Sequence, residues 1–158
     1  MKMKLTHSYY VESGGLAGGL ALWWSNDTQI TIIRSGKHFI DAKISVNGDS
    51  EWFGFLIYAP PYIEEKQEFW KMMTNLMSGP EECWLVIGDT NVVVSQEEKL
   101  GGAPFNPNDA RVYYDFIDYM GLLELPISGG SFTWSNQGSE EEAILEKLDR
   151  ALCSLEWS

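Results

Sequence analysis

Residues 83–91 read Cys-Trp-Leu-Val-Ile-Gly-Asp-Thr-Asn. An unbroken apolar run that ends on a glycine is the pattern of a strand covered on both faces. Asp89 and Asn91, two residues apart just past the run, project together from its C-terminal edge. In open α/β sheets that edge is where ligands bind. A carboxylate placed there can take a proton or hold a cation, and the neighbouring amide can donate to a phosphate oxygen. The same pair also suits a plain turn, because Asp and Asn are favoured turn formers.

Upstream of this run the chain reads as β-structure. Residues 19–24 (GLALWW) form a buried strand entered through the glycines at 14, 15, 18 and 19. Residues 29–34 (QITIIR) and 39–46 (FIDAKISV) alternate and are rich in β-branched side chains, with Asn47-Gly48 as a hairpin-type turn. Residues 51–58 (EWFGFLIY) make a fourth strand, stopped by Pro60-Pro61. The four describe an antiparallel meander. Residues 63–77 then carry Phe69, Met72, Met73, Leu76 and Met77 at helical spacing, with charges on the other face and Gly79-Pro80 as the stop. A second helix is expected near residues 109–120, N-capped by Asn108. Short segments at 122–125, 131–134 and 147–153 follow. Strands, helix, strand, helix, strands describe a mixed-sheet α/β protein. Glu140-Glu141-Glu142 reads as a solvated loop.

Composition narrows the options. A length of 158 residues fits one domain with a real core, and seven each of Trp, Tyr and Phe make it rich in aromatics. The formal net charge is −12, with only eleven Lys and Arg, which opposes the basic face of a tight nucleic-acid binder. Cys83 and Cys153 form no C-x-x-C pair, so neither a disulfide scaffold nor a zinc site is indicated. No apolar run approaches the roughly 20 residues of a membrane span. A soluble, reduced, intracellular protein is the plain expectation. The glycines at 14–19 are no phosphate loop, since no Gly-Lys-Ser/Thr follows them.

Seven segments in order resemble the endonuclease/exonuclease/phosphatase superfamily, in the version found in endonuclease domains of plant LINE-type (non-LTR) retrotransposons. They are GGLALWW at 18–24, HFIDA at 38–42, FLIYAPP at 55–61, CWLVIGDTN at 83–91, EEKLGG at 97–102, GGSFTWSNQG at 129–138 and KLDRAL at 147–152. Together they are spread over residues 18–152, nearly the whole chain. The resemblance implies an α/β fold: a two-sheet mixed β-sandwich flanked by helices, with a Mg²⁺-dependent phosphodiesterase site at one end. It implies that Asp89 positions and deprotonates water and touches the metal. Asn91 would orient the nucleophile and the phosphate, Tyr58 would donate to the phosphate, and Asp149 would orient a catalytic His. DNA would be the partner, with a reverse transcriptase on the same polypeptide and a nuclear site of action.

The departures set further expectations. The family's N-terminal Asn and metal-binding Glu lie upstream of the GGLAL segment, and its S-D-H His lies beyond residue 158. Glu12, His7 and His38 match none of them, and His38 falls in a structural strand. Thr90 stands where the family has an aromatic or apolar residue, Lys147 replaces Arg, and Pro61 replaces Asn or His. The chain is therefore expected to be one partial domain over residues 1–158, inactive alone, marginally stable and weak toward nucleic acid. The alternative is a non-catalytic relic or binding module. Phe132 and Trp134 resemble a substrate-facing segment, yet aromatic residues at strand spacing favour the core.

Overall fold

The computed structural model describes residues 4–15, 18–77 and 83–157. Eleven strands and two α-helices are described: β1 (His7–Val11), β2 (Leu20–Trp24), β3 (Thr28–Gly36), β4 (Phe39–Val46), β5 (Trp52–Tyr58), α1 (Ile63–Leu76), β6 (Trp84–Asp89), β7 (Lys99–Leu100), α2 (Pro107–Met120), β8 (Leu123–Glu124), β9 (Trp134–Ser135), β10 (Leu145–Glu146) and β11 (Asp149–Cys153). The main sheet has six strands in the order β3-β4-β5-β6-β11-β8. β1 and β2 form a separate antiparallel ribbon, and β7-β10-β9 make a small third sheet.

The expected meander holds for β3, β4 and β5, which pair antiparallel. It does not extend to residues 19–24. That strand pairs with β1 instead, and Trp23 is 51% exposed, so it is not a buried strand. The ribbon has one covered face only, as alternation in a two-stranded element requires. Between β4 and β5, Asn47 and Gly48 both have positive φ (52° and 80°), the geometry of a primed turn. The amide of Asp49 closes it on the carbonyl of Val46 at 2.9 Å.

After β5 the chain crosses over through α1 and returns as β6, parallel to β5. This parallel pair brings the C-terminal ends of two strands side by side. Tyr58 is register partner to Asp89, and Asp89 faces Asp149 across the antiparallel β6–β11 ladder. Directly opposed residues share a face, so Tyr58, Asp89 and Asp149 form one row across three strands.

Both helices cover the opposite face. Phe39, Phe55, Ile57, Trp84, Val86 and Leu152 of the sheet pack with Phe69, Trp70 and Met73 of α1 and Ala110, Tyr113 and Phe116 of α2. Trp70 anchors this core, with its ring centroid 4.8 Å from both Phe69 and Phe116 and 5.3 Å from Tyr113. The other face is less covered. Ile87 in β6 is 45% exposed, so the apolar run that ends at Ile87 is not buried on both faces.

Helix α2 begins at Pro107 with Asn106 as its cap, not at Asp109 with Asn108. Asn106 takes extended backbone angles and its side-chain oxygen accepts from the amide of Asn108 at 3.1 Å. Pro107 at the first helical position lacks an amide that would need a partner. Helix α1 ends at Leu76, and the Gly79-Pro80 stop lies outside the described residues. Among the described residues, no helix is long and apolar enough to cross a membrane.

Candidate phosphate site

The turn after β6 is held from several directions. Gly88 has φ +141°, and a Cβ there would fall 2.1 Å from the Ile57 carbonyl oxygen, so the close approach of β5 needs glycine. Thr90 is 1% exposed, and both its amide and its hydroxyl donate to the Leu148 carbonyl, at 2.8 and 2.7 Å. An apolar side chain at this position could not make the second bond. Asn91 adopts a left-handed φ of +49°, a strained state for a residue with a Cβ, costing on the order of 1–2 kcal/mol.

Three hydrogen bonds stabilise that state. The Asn91 amide donates to Asp89 Oδ1 at 2.7 Å, and its Nδ2 donates to the Ala59 carbonyl at 2.6 Å. The third comes from Lys66 Nζ, which donates to the Asn91 carbonyl at 2.5 Å. Asp89 and Asn91 thus form a closed Asx-type turn, and the turn reading and the site reading of this pair are both satisfied by one geometry.

Tyr58, Lys66, Asp89, Asn91 and Trp134 line a cleft of about 500 Å³, closed on the far side by Phe105 and the first turn of α2. Asp149 does not line the cleft directly; it faces Asp89 from β11. Burial pushes the Asp89 carboxyl up, and the charge of Asp149 adds to this, while the Asn91 amide and the Lys66 charge pull it back. The net direction is upward, as suits a carboxylate that exchanges protons. Thr133 Oγ1 accepts from the amides of Leu148 and Asp149 at 3.0 and 3.1 Å, fixing the start of β11.

Asp149 and Arg150 do not pair with each other. Strand alternation sends the Arg150 guanidinium to the helix side, where its side chain is fully buried. It donates to Glu98, to Glu124 Oε1 at 2.9 Å and to the Val92 carbonyl at 3.0 Å, and it lies over the Tyr113 ring. Burial alone would raise the Glu98 carboxyl, but the Arg150 hydrogen bond, the Val94 amide and the nearby cations outweigh it and lower it. This network ties down the loop that follows Asn91.

Two expectations need correction. Trp134 is 43% exposed and lines the cleft, because a two-residue strand at a sheet edge cannot bury an indole. His38 sits in the turn before β4, not in the strand, with Nδ1 bonded to the Tyr58 carbonyl at 2.8 Å. His7 lies on the ribbon, bonded to Asn26. Lys66 was hidden by its own chemistry: it shares the buried stripe of α1 with Phe69, Trp70 and Met73, at the spacing i, i+3, i+4, i+7. A lysine on a core stripe was the signal available.

Among the described residues, no group of three or more His, Cys, Asp and Glu side chains converges to hold a metal. Asp89 and Asp149, opposed across one ladder, offer two hard carboxylates. That donor set fits Mg²⁺, which keeps several waters and is held by one or two carboxylates plus substrate phosphate.

Neither a family model nor a curated protein sequence matches the chain. Solved structures do. The endonuclease domain of TRAS1, a telomere-specific non-LTR retrotransposon, aligns with a TM-score of 0.67 at 14% identity, over 94% of this chain and 68% of that one. Two structures of Staphylococcus aureus beta toxin align with TM-scores of 0.53 at 17% and 16% identity, over 90% and 92% of this chain. The chain spans 56% and 58% of those proteins. With its mixed sheet, one-sided helices and strand-end site, the chain has the fold of the endonuclease/exonuclease/phosphatase superfamily.

Proposed function

We propose that the cleft binds the phosphodiester backbone of DNA and that the chain is an endonuclease-type, Mg²⁺-dependent phosphodiesterase domain of retrotransposon origin. The observation that carries this reading is the convergence of Tyr58, Asp89 and Asn91 on one cleft at the paired C-terminal ends of β5 and β6. Asp89 takes the proton of the attacking water. Asn91 and the Tyr58 hydroxyl donate to phosphate oxygens, and the charge of Asp149 raises the proton affinity of Asp89. Mg²⁺, held by Asp89 with Asp149 beside it, would supply Lewis-acid stabilisation of the charge on phosphorus-bound oxygen. A reverse transcriptase in cis and action in the nucleus belong to the same reading.

A second reading is favoured by two observations. Neither His7 nor His38 faces the cleft, and the net charge of −12 opposes backbone binding. On that reading the fold is a relic or weak binding module without catalysis. A supercoiled-plasmid nicking assay separates the two. If the catalytic reading holds, Mg²⁺-dependent nicking falls on the order of 10²–10³-fold in Asp89→Ala. Absence of nicking at every Mg²⁺ concentration removes the catalytic reading and leaves the non-catalytic one.

A further inference from the structure

Lys66 is 8% exposed, which is unusual for a side chain whose charge resists burial. Packing does not explain its position. On the buried stripe of α1 it stands at the end nearest the cleft, one turn before Phe69 and Trp70. Among the described residues its one hydrogen bond goes to the Asn91 carbonyl, and it lines the cleft beside Asp89.

The charges around it come from three other elements: Asp89 on β6, Asp109 on α2 and Glu146 on β10. Among the described residues, none of them is an ion-pair partner of Lys66, and Glu146 is taken by Lys99. Burial pushes the Lys66 amine down, and these three carboxylates oppose the shift. Lys99 and Lys147 are both committed to glutamates. The ammonium that faces the Asp89–Asn91 turn is therefore that of Lys66. A charged donor makes a stronger hydrogen bond to a carbonyl than a neutral one does.

We propose that Lys66 is the positioning residue of this site, locking the left-handed turn that aims the Asn91 amide and supplying the positive charge that faces Asp89. Its consequence for phosphate recognition rests on the function proposed above; its test does not. The bond to Asn91 uses one of the three N–H groups of the ammonium.

The test is NMR on the isotopically labelled full chain, without ligand. The Asn91 carbonyl carbon and its backbone and side-chain amide resonances are read in wild type, Lys66→Met, Lys66→Gln and Lys66→Arg, beside the unfolding free energy of each. The expected result is a displaced Asn91 carbonyl carbon and side-chain amide in Lys66→Met, which lacks any donor, a smaller displacement in Lys66→Gln, and positions near wild type in Lys66→Arg, which keeps a charged donor to the Asn91 carbonyl. A role in packing alone would lower stability and leave the Asn91 resonances where they are, and that result overturns the proposal.

The wild type gives an answer by itself should a variant not fold. A Lys66 amine protected from exchange with water supports the bond to Asn91, and one exchanging freely overturns it. If the expected shifts occur in a chain that binds no DNA, the phosphate reading fails and the role of Lys66 stands.

Discussion

Replacing Arg150 by methionine is expected to lower stability by about 3–5 kcal/mol, the usual cost of removing one partner from a buried ion pair. Methionine fills similar volume, so the loss is electrostatic rather than a cavity. The Arg150 side chain is fully buried, and its removal takes the guanidinium from Glu98, which keeps only the Val94 amide and the more distant Lys147, and takes the Arg150 donor from the Val92 carbonyl. Glu124 is a third of the way to solvent and also pairs with Lys147, so it suffers less. For a chain of this length the melting temperature should fall by roughly 2–4 °C per kcal/mol, a change that denaturant unfolding and a thermal scan both read. A loss below about 1 kcal/mol, the size of an exposed pair, would mean that the guanidinium is far more solvated than its position indicates. The double variant with Glu98→Gln should recover part of the loss, because it removes the stranded charge.

Gly88→Ala is expected to be comparably damaging for a different reason. The Gly88 φ of +141° is open only to glycine, and the added Cβ would sit 2.1 Å from a backbone oxygen of β5 that cannot swing away. Strain of this kind costs about 1–3 kcal/mol before any clash. Relief of the clash requires β5 and β6 to separate at their C-terminal ends, where Tyr58 and Asp89 are register partners. The variant should therefore lose at least about 3 kcal/mol and shift the amide resonances of Tyr58, Asp89 and Asn91 together. A variant within about 0.5 kcal/mol of wild type, the range of ordinary surface changes, would show that the strands do not approach as closely as described.

The Gly-Asp-Thr-Asn segment was legible because its information is local. An apolar run, a glycine and two turn-forming polar residues specify a strand end whatever lies around them. The β3–β5 hairpins were legible for the same reason, through alternation and the Asn47-Gly48 turn. What could not be read depends on partners distant in sequence. The two-residue strands β7, β9 and β10 exist only as a ladder between segments that lie far apart in sequence, Leu145 pairing with Ser135 on one side and with Leu100 on the other. Residues 19–24 look like core by hydropathy alone, yet their pairing with β1 makes one face outward. Trp134 was assigned to the core on its chemistry, and its short edge strand left it lining the cleft. Lys66 was not singled out in the sequence, although its position on the apolar stripe of α1 already marked it as buried. Asp149 and Arg150 adjoin in sequence, yet strand alternation separates them onto opposite faces.

The claim on which the rest depends is that the strand-end cleft is where a phosphodiester sits. Amide and side-chain NMR of the chain titrated with a short DNA duplex in the presence of Mg²⁺ tests it most directly. The account predicts perturbations concentrated at Tyr58, Asn91, Val92 and the Trp134 indole, weakening as salt rises because phosphate contacts are screened and counterions compete. Perturbations confined to the β1–β2 ribbon or the exposed face at Ile87, or none at all at millimolar duplex, would contradict it.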